Sequence, residues 1–224
     1  MTTLTLPQAL ARVTPLNNLS STDRHVLSAN AGLLILRWHE ELPLAHLKTH
    51  AHVVVNGMMR SEHPVQPLRR VCFRYFTAGQ WLGAESILGQ APLAGLRLKA
   101  CGTTTLLVLQ LSAVQDLLRR NSALQFSMMR DLVAQHRESV DLIRALATMS
   151  LRDRLFSYVR YWSDKAATCD VPPQPPSMVE MAGFVGTRRE TLLRCISKLQ
   201  SERQWPVPAG WPGTRRSGQG AAPL

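Results

Sequence analysis

The spacing of apolar residues changes character along the chain, and each change predicts a different kind of element. Over residues 1–30, Leu6, Leu10 and Val13 fall on one face of a short helix, and Ser20-Ser21-Thr22-Asp23 supplies a cap before His25-Val26-Leu27. From about 31 to 112 the texture turns to short β-branched or apolar runs separated by turn residues. Residues 33–38, 52–55, 70–76, 96–100 and 103–111 are candidate strands, and Asn56-Gly57 is a tight-turn signal between them. Short strands at this spacing suggest a small β-roll or jelly-roll.

Residues 112–148 switch to helical spacing. Ser112 is placed to cap residues 113–120, and a long helix begins near Ala123. Along it Met129, Leu132, His136, Ile143 and Leu146 follow a three-and-four repeat, which Val133 and Val140 widen. One narrow apolar seam on a helix this long either pairs with a copy of itself or packs on the barrel. Ala147-Thr148-Met149 reads as a hinge, and Ser150 with Asp153 caps a helix over 151–162. Residues 170–176, with four prolines, form the next loop.

Residues 177–200 read as two short helices broken at Gly186. Ser177 with Glu180 forms one capping box and Thr187 with Glu190 a second, while Gly186 suits the turn between. On the second helix Leu192, Cys195 or Ile196, and Leu199 make an apolar stripe. The other side carries Arg188, Arg189, Glu190, Arg194 and Lys198. A helix greasy on one face and rich in phosphate- and base-contacting groups on the other is what a helix-turn-helix offers a DNA major groove. The bland reading of Glu190, Arg194 and Lys198 is an i,i+4 ladder on a solvated helix.

This stretch resembles the CRP/FNR family of bacterial transcription factors. The likeness runs from Glu180 through Met181, Ala182, Val185, Gly186, Arg189, Glu190, Thr191 and Arg194 to Leu199. It implies an α+β chain: a β-roll effector domain over 1–120, a dimerisation helix over 121–148, and a helix-turn-helix domain over 149–204. It also implies that Arg189, Glu190 and Arg194 read bases, with a TGTGA-like half-site the first to try. An Arg suits the guanine O6/N7 pair and a Glu can accept from cytosine N4. Thr187, Arg188 and Lys198 are then placed to position on phosphates. Double-stranded DNA, a second copy of the chain and RNA polymerase are the partners this implies. Whether such a regulator would activate or repress is left open.

The tail departs from the family. Where relatives continue into a two-stranded wing, residues 205–224 are rich in proline, glycine and arginine. Proline cannot donate to a strand ladder, so a disordered basic tail is expected, with the wing missing or degenerate. Arg215 and Arg216 could still contact phosphates.

The effector domain also departs. The family's cyclic-nucleotide signature, a Gly-Glu followed by an Arg-Ser, is not met. Ala84 follows Gly83, Glu85 comes one place late, and Ala94-Gly95 stands in the later position. Gly83, Glu85, Ser86 and Arg97 remain the candidate pocket residues, but using Arg97 needs a register shift that turns its side chain to the other face. Cyclic AMP is therefore not expected, whereas heme or another small effector is compatible. His46, His50 and His52 are the one suggestive ligand set. His50 and His52 share a strand face, yet no carboxylate follows closely, and a solvated face accounts for them without a metal. A cupin-like metal- or ligand-binding barrel is the alternative reading, as is a degenerate regulator that dimerises without gripping DNA.

Composition narrows little further. A formal charge of +11 over 224 residues suits a polyanionic partner. The four cysteines, Cys72, Cys101, Cys169 and Cys195, form no C-x-x-C pair and suit reduced thiols in the cytoplasm. They argue against an iron–sulfur cluster, and Cys101 reads as a small buried hydrophobe. No apolar run of about 18 residues is present to span a membrane, and no signal-peptide pattern opens the chain. No Walker loop, nucleophile elbow or His-Glu-x-x-His appears, so no enzymatic centre is expected.

Overall fold

The computed structural model describes residues 4–13, 16, 19–66, 69–205, 207 and 211. Two four-stranded antiparallel sheets face one another. The first has the order β1 (Gly32–Leu36), β8 (Thr104–Gln110), β3 (His50–Asn56), β6 (Trp81–Leu82). The second has the order β2 (Glu41–Leu42), β7 (Arg97–Ala100), β4 (Met59–Gln66), β5 (Arg69–Phe76). Leu42, Val54, Met59, Phe76, Leu82, Leu98 and Leu106 interdigitate between them. Asn56-Gly57 does turn the chain, with Gly57 in the left-handed region, but it joins no hairpin. It carries the chain from β3 in one sheet to β4 in the other.

Both sheets are covered on their outer faces as well. Over the first lie α1 (Leu6–Arg12), α2 (Ser21–Ala29) and α4 (Leu111–Arg120), with the start of α5 (Ser122–Thr148); the single turn α3 (Ala84–Ile87) sits beside them. Leu10, Val13, Leu27, Val114, Leu117, Leu124 and Met128 pack there against Val53, Val55, Trp81, Leu107 and Leu109. Ser20 caps α2 as read, accepting from the Asp23 amide at 3.0 Å. Ser112, expected to cap α4, instead lies inside its first turn, because Gln110 is the cap residue. Asn121 accepts from the Leu124 amide at 2.9 Å and starts the 27-residue α5.

The outer face of the second sheet is buried by three helices on the C-terminal side of α5. Helix α6 (Leu151–Ala167) is capped by Ser150, as expected, and leads to α7 (Met178–Phe184) and α8 (Arg189–Ser201). Leu155, Tyr158, Met181, Phe184, Leu192, Ile196 and Leu199 form one core with Met58, Cys72, Tyr75 and Cys101 of the barrel. The α7–α8 pair thus completes its core on β5. A Cβ at Gly183 would meet the Arg70 carbonyl at 2.5 Å, so only glycine lets α7 lie this close.

Three strands escaped the sequence pattern: the two-residue β2 and β6, and the eight-residue β4. Strand β4 reads Met59-Arg60-Ser61-Glu62-His63-Pro64-Val65-Gln66, where charge and proline suggest a loop. It is central in its sheet, pairing with both β5 and β7, and register shifts accompany Ser61/Glu62 and Pro64/Gln66.

Candidate nucleic-acid interface and effector pocket

The helix pair α7–α8 is built by local signals, with one correction. In the first capping box the Ser177 hydroxyl accepts from the Glu180 amide at 3.3 Å, and the Ser177 amide donates to Glu180 Oε2 at 2.7 Å. The second expected box does not form. Arg188 is the cap residue of α8, without a side-chain cap bond. Thr187 is engaged in closing α7, its amide donating to the Ala182 carbonyl at 2.9 Å. Gly186 occupies the left-handed region at φ +66°, as the turn requires.

Helix α8 separates its faces cleanly. Leu192, Ile196 and Leu199 are buried, while Arg188, Arg189, Glu190, Arg194 and Lys198 are exposed and Thr187 is half-buried. Lys198 lies 3.9 Å from Glu202. Among the described residues, Arg189 and Arg194 have no carboxylate partner, so both guanidinium groups stand available to an anion or a base edge. Glu190 lies in the first turn of α8, where the helix dipole favours its charge.

Behind this surface lies a buried charge cluster that joins α7 to the barrel. Arg60 on β4 approaches Glu180 at 2.6 Å and Glu62 at 3.0 Å, all three being almost wholly out of solvent. Glu62 also meets Arg70 and Lys99, each at 3.2 Å, and His39 lies 3.2 Å from Arg60. Burial alone would raise the Glu62 carboxyl, but Arg60, then Arg70 and Lys99, outweigh it and hold the group below its usual range. Burial likewise disfavours the Arg60 charge, and Glu180 and Glu62 reverse that, raising its proton affinity. Glu180 therefore has two jobs: it caps α7 and it ties the first helix of the pair to the barrel.

On α5 the apolar residues divide into two stripes. Leu124 and Met128 are buried against the barrel, and Leu132, Leu142 and Ala145 are half-buried on the same side. Phe126, Met129, Val133, His136, Val140 and Ile143 form a second stripe at alternating spacings of three and four, and it is largely exposed, with Ile143 at 65%. Of the expected seam, Met129, His136 and Ile143 lie on this free stripe. Leu132 instead packs toward the core of the same chain, and Leu146 leans on the Gly186 turn.

A chamber of about 280 Å³ lies between the second sheet and α5. Gly83 and Glu85 line it. Ser86 is buried outside its wall with an unpartnered hydroxyl, and Arg97 is exposed on the opposite strand face from Leu96 and Leu98. The guanidinium of the chamber belongs to Arg74 on β5, which sequence reasoning passed over. It donates to the Gln135 side chain and the Gln135 carbonyl, both at 2.5 Å, linking the sheet to α5.

His46, His50 and His52 do gather, with ring centroids 6.2 to 6.5 Å apart. His52 is fully buried and neither ring nitrogen has a partner. Burial, with His46 and His50 nearby, pushes its pKa down to about 4. Among the described residues no group of three or more His, Cys, Asp or Glu is arranged to hold a metal. Burial pushes the Cys101 thiol up to about 12, as it does Cys72, which suits inert core thiols.

The tail begins in order, contrary to expectation. Trp211 is buried and meets Trp162 edge-on at 4.9 Å, and Trp205 and Val207 pack on the same core. The apolar area of these side chains outweighs the loop-forming composition around them. No strand follows α8 among the described residues. Arg215 and Arg216 lie outside them. No described helix is long and apolar enough to cross a membrane.

Neither a protein-family sequence model nor a curated protein sequence matches the chain. Solved structures do. The chain is similar to CLP, the c-di-GMP responsive global regulator of Xanthomonas campestris, with a TM-score of 0.66 and 16% identity over 82% of this chain and 93% of that one. FixK2 of Bradyrhizobium japonicum gives 0.61 at 19% identity, covering 77% and 86%. A CRP/FNR-family regulator of Thermus thermophilus gives 0.62 at 20%, covering 76% and 87%. At these identities the likeness is one of fold, and the fold is that of CRP/FNR transcriptional regulators.

Proposed function

We propose that this chain, sharing the CRP/FNR fold, is a DNA-binding transcription regulator that acts as a homodimer. The observation that carries the reading is α8, whose apolar side is buried while Arg189, Glu190 and Arg194 stand in solvent, the two arginines without carboxylate partners among the described residues. Two copies joined along Phe126, Met129, Val133, His136, Val140 and Ile143 would bury six side chains in a heptad seam. Two-fold symmetry then presents two α8 helices to successive major grooves about 34 Å apart. In that arrangement Arg189, Glu190 and Arg194 read base edges, while Thr187, Arg188 and Lys198 position on phosphates. RNA polymerase is the further partner such a regulator serves.

The chamber under α5 is the effector site in this reading. Its size suits an effector smaller than heme, and Arg74, already spanning from β5 to Gln135, is the group through which occupancy reaches the seam. Cyclic AMP is not the effector proposed, because Ala84 and Ala94 stand where the nucleotide's ligands are expected.

Selection from a random duplex library with the full-length protein tests the function. Enrichment of two inverted half-sites one helical turn apart supports it. Absence of any enriched sequence, or enrichment of single half-sites only, overturns the dimeric reader.

A further inference from the structure

A second cavity, of about 190 Å³, lies where β5, α5, α6 and the end of α7 converge. Its wall is almost wholly apolar, made chiefly by Phe73, Leu142, Leu146, Tyr158 and Phe184. Two acids reach its rim, and both are paired. Glu138 accepts from Lys165 at 2.8 Å and from the Tyr161 hydroxyl at 3.1 Å, and Asp141 accepts from Arg144 at 2.9 Å. The one cation in the wall is not. Arg154 NH1 donates to the Leu146 carbonyl at 3.1 Å, while its Nε is buried without an acceptor, and no carboxylate pairs with it among the described residues.

Size and chemistry together define an occupant. A dry cavity of about 150 Å³ lined by Leu, Ile and Phe takes a benzene ring. This one is somewhat larger and offers aromatic rings to stack against, plus a guanidinium in its wall that no carboxylate neutralises among the described residues. A carboxylate on the occupant supplies that missing charge. We propose that the cavity is a binding site for a single-ring aromatic carboxylate, its ring on Phe184 and Leu142 and its carboxylate on Arg154. The position makes occupancy felt at the turn. A Cβ at Gly186 would lie 2.5 Å from Leu146 Cδ2, so the Leu146 side chain rests on the turn, and Phe184 and Val185 precede it. A ligand against Leu146, Phe184 and Val185 holds that turn in place. The site is separate from the chamber containing Gly83 and Glu85, with only Phe73 touching both.

Benzoate is the probe, with benzyl alcohol as its uncharged counterpart, titrated calorimetrically into the full-length protein. Saturable benzoate binding about tenfold tighter than that of benzyl alcohol is expected. The variant Arg154→Met should lose that preference while still taking benzyl alcohol, and Ala145→Phe, which fills the cavity, should lose both. Amide hydrogen exchange across residues 184–188 should slow with benzoate. No saturable binding, or equal benzoate binding by wild type and Arg154→Met, overturns the site. Unchanged exchange at the turn overturns the coupling. An effect of benzoate on DNA affinity rests on the regulatory reading above and is scored separately. Benzoate binding and turn protection without any DNA binding would sink that reading and leave this site standing.

Discussion

Replacing Arg60 with Met should be among the most damaging single changes in the barrel, and the structure says why. The guanidinium lies between Glu180 at 2.6 Å and Glu62 at 3.0 Å. Glu62 keeps Arg70 and Lys99, so its charge stays compensated. Glu180 does not: its nearest remaining cation is His39 at 3.8 Å, which burial makes a poor proton acceptor even with Glu180 beside it. Removing one partner of a buried pair costs about 3–5 kcal/mol because the other charge is stranded. Adding Glu180→Gln removes the stranded charge and leaves an amide oxygen for the Ser177 amide, so the double variant should recover about half that loss. Urea unfolding at pH 7 and fixed protein concentration measures each term. A loss below about 1 kcal/mol for Arg60→Met, or additive losses in the double variant, would refute the interlock. Acid gives an independent check. The Glu62 carboxyl is held low, so its contribution is complete above its unfolded pKa and disappears as pH falls through the lower folded value.

Other outcomes rest on the same geometry. Ile143→Glu puts a charge on the free stripe of α5 and should convert dimers to folded monomers in sedimentation velocity, and an unchanged dimer would place the interface elsewhere. Arg189→Ala should cost about 1–3 kcal/mol and relax preference at one base position, whereas Lys198→Ala should weaken all sequences alike and lower the salt slope by about one. Equal losses on every DNA for Arg189→Ala would falsify its base-reading role. His52 is buried neutral with a pKa near 4 against about 6.5 when unfolded, so the unfolded chain binds the extra proton between those values. Stability from this group is complete above about pH 6.5 and lost toward pH 4, by on the order of 3 kcal/mol, and His52→Gln should flatten that slope. Trp211→Ala empties the contact with Trp162 and should cost about 3–5 kcal/mol in thermal or urea unfolding, and a change under about 0.5 would mean the tail merely rests on the surface.

What the sequence disclosed and what it concealed have a common physical origin. Devices that act within one turn of chain were legible: the Ser177–Glu180 box, the Gly186 turn, and the Ser20 and Ser150 caps, each satisfied by neighbours a few residues away. A local signature is not self-certifying, though. Thr187 and Glu190 have the spacing of a box, but the Thr187 amide is already engaged by the Ala182 carbonyl, so Arg188 becomes the cap of α8. On α5 the three-and-four period is visible in the sequence, while the choice of face is not. Two stripes share the same three-and-four repeat, and only packing separates Leu132, turned inward, from Phe126, left free.

Strand β4 shows the deeper limit. Alternation identifies a strand when one face meets core and the other meets water. Here Met59 faces the barrel interior and Arg60 and Glu62 face α7, so the outward positions are buried too. They carry charge because their partner, Glu180, is more than a hundred residues distant in sequence, and a buried charge is tolerable only when it is met. The residues that tie α7 to the barrel are therefore those that look most like loop. Gly183 obeys the same logic: inside a helix it reads as a weakness, and it is explained by the Arg70 carbonyl it admits. The coupling of α7 to the barrel resides in long-range pairs whose members each appear locally unfavourable, so the place to seek such coupling is where local rules are broken and the structure supplies the partner.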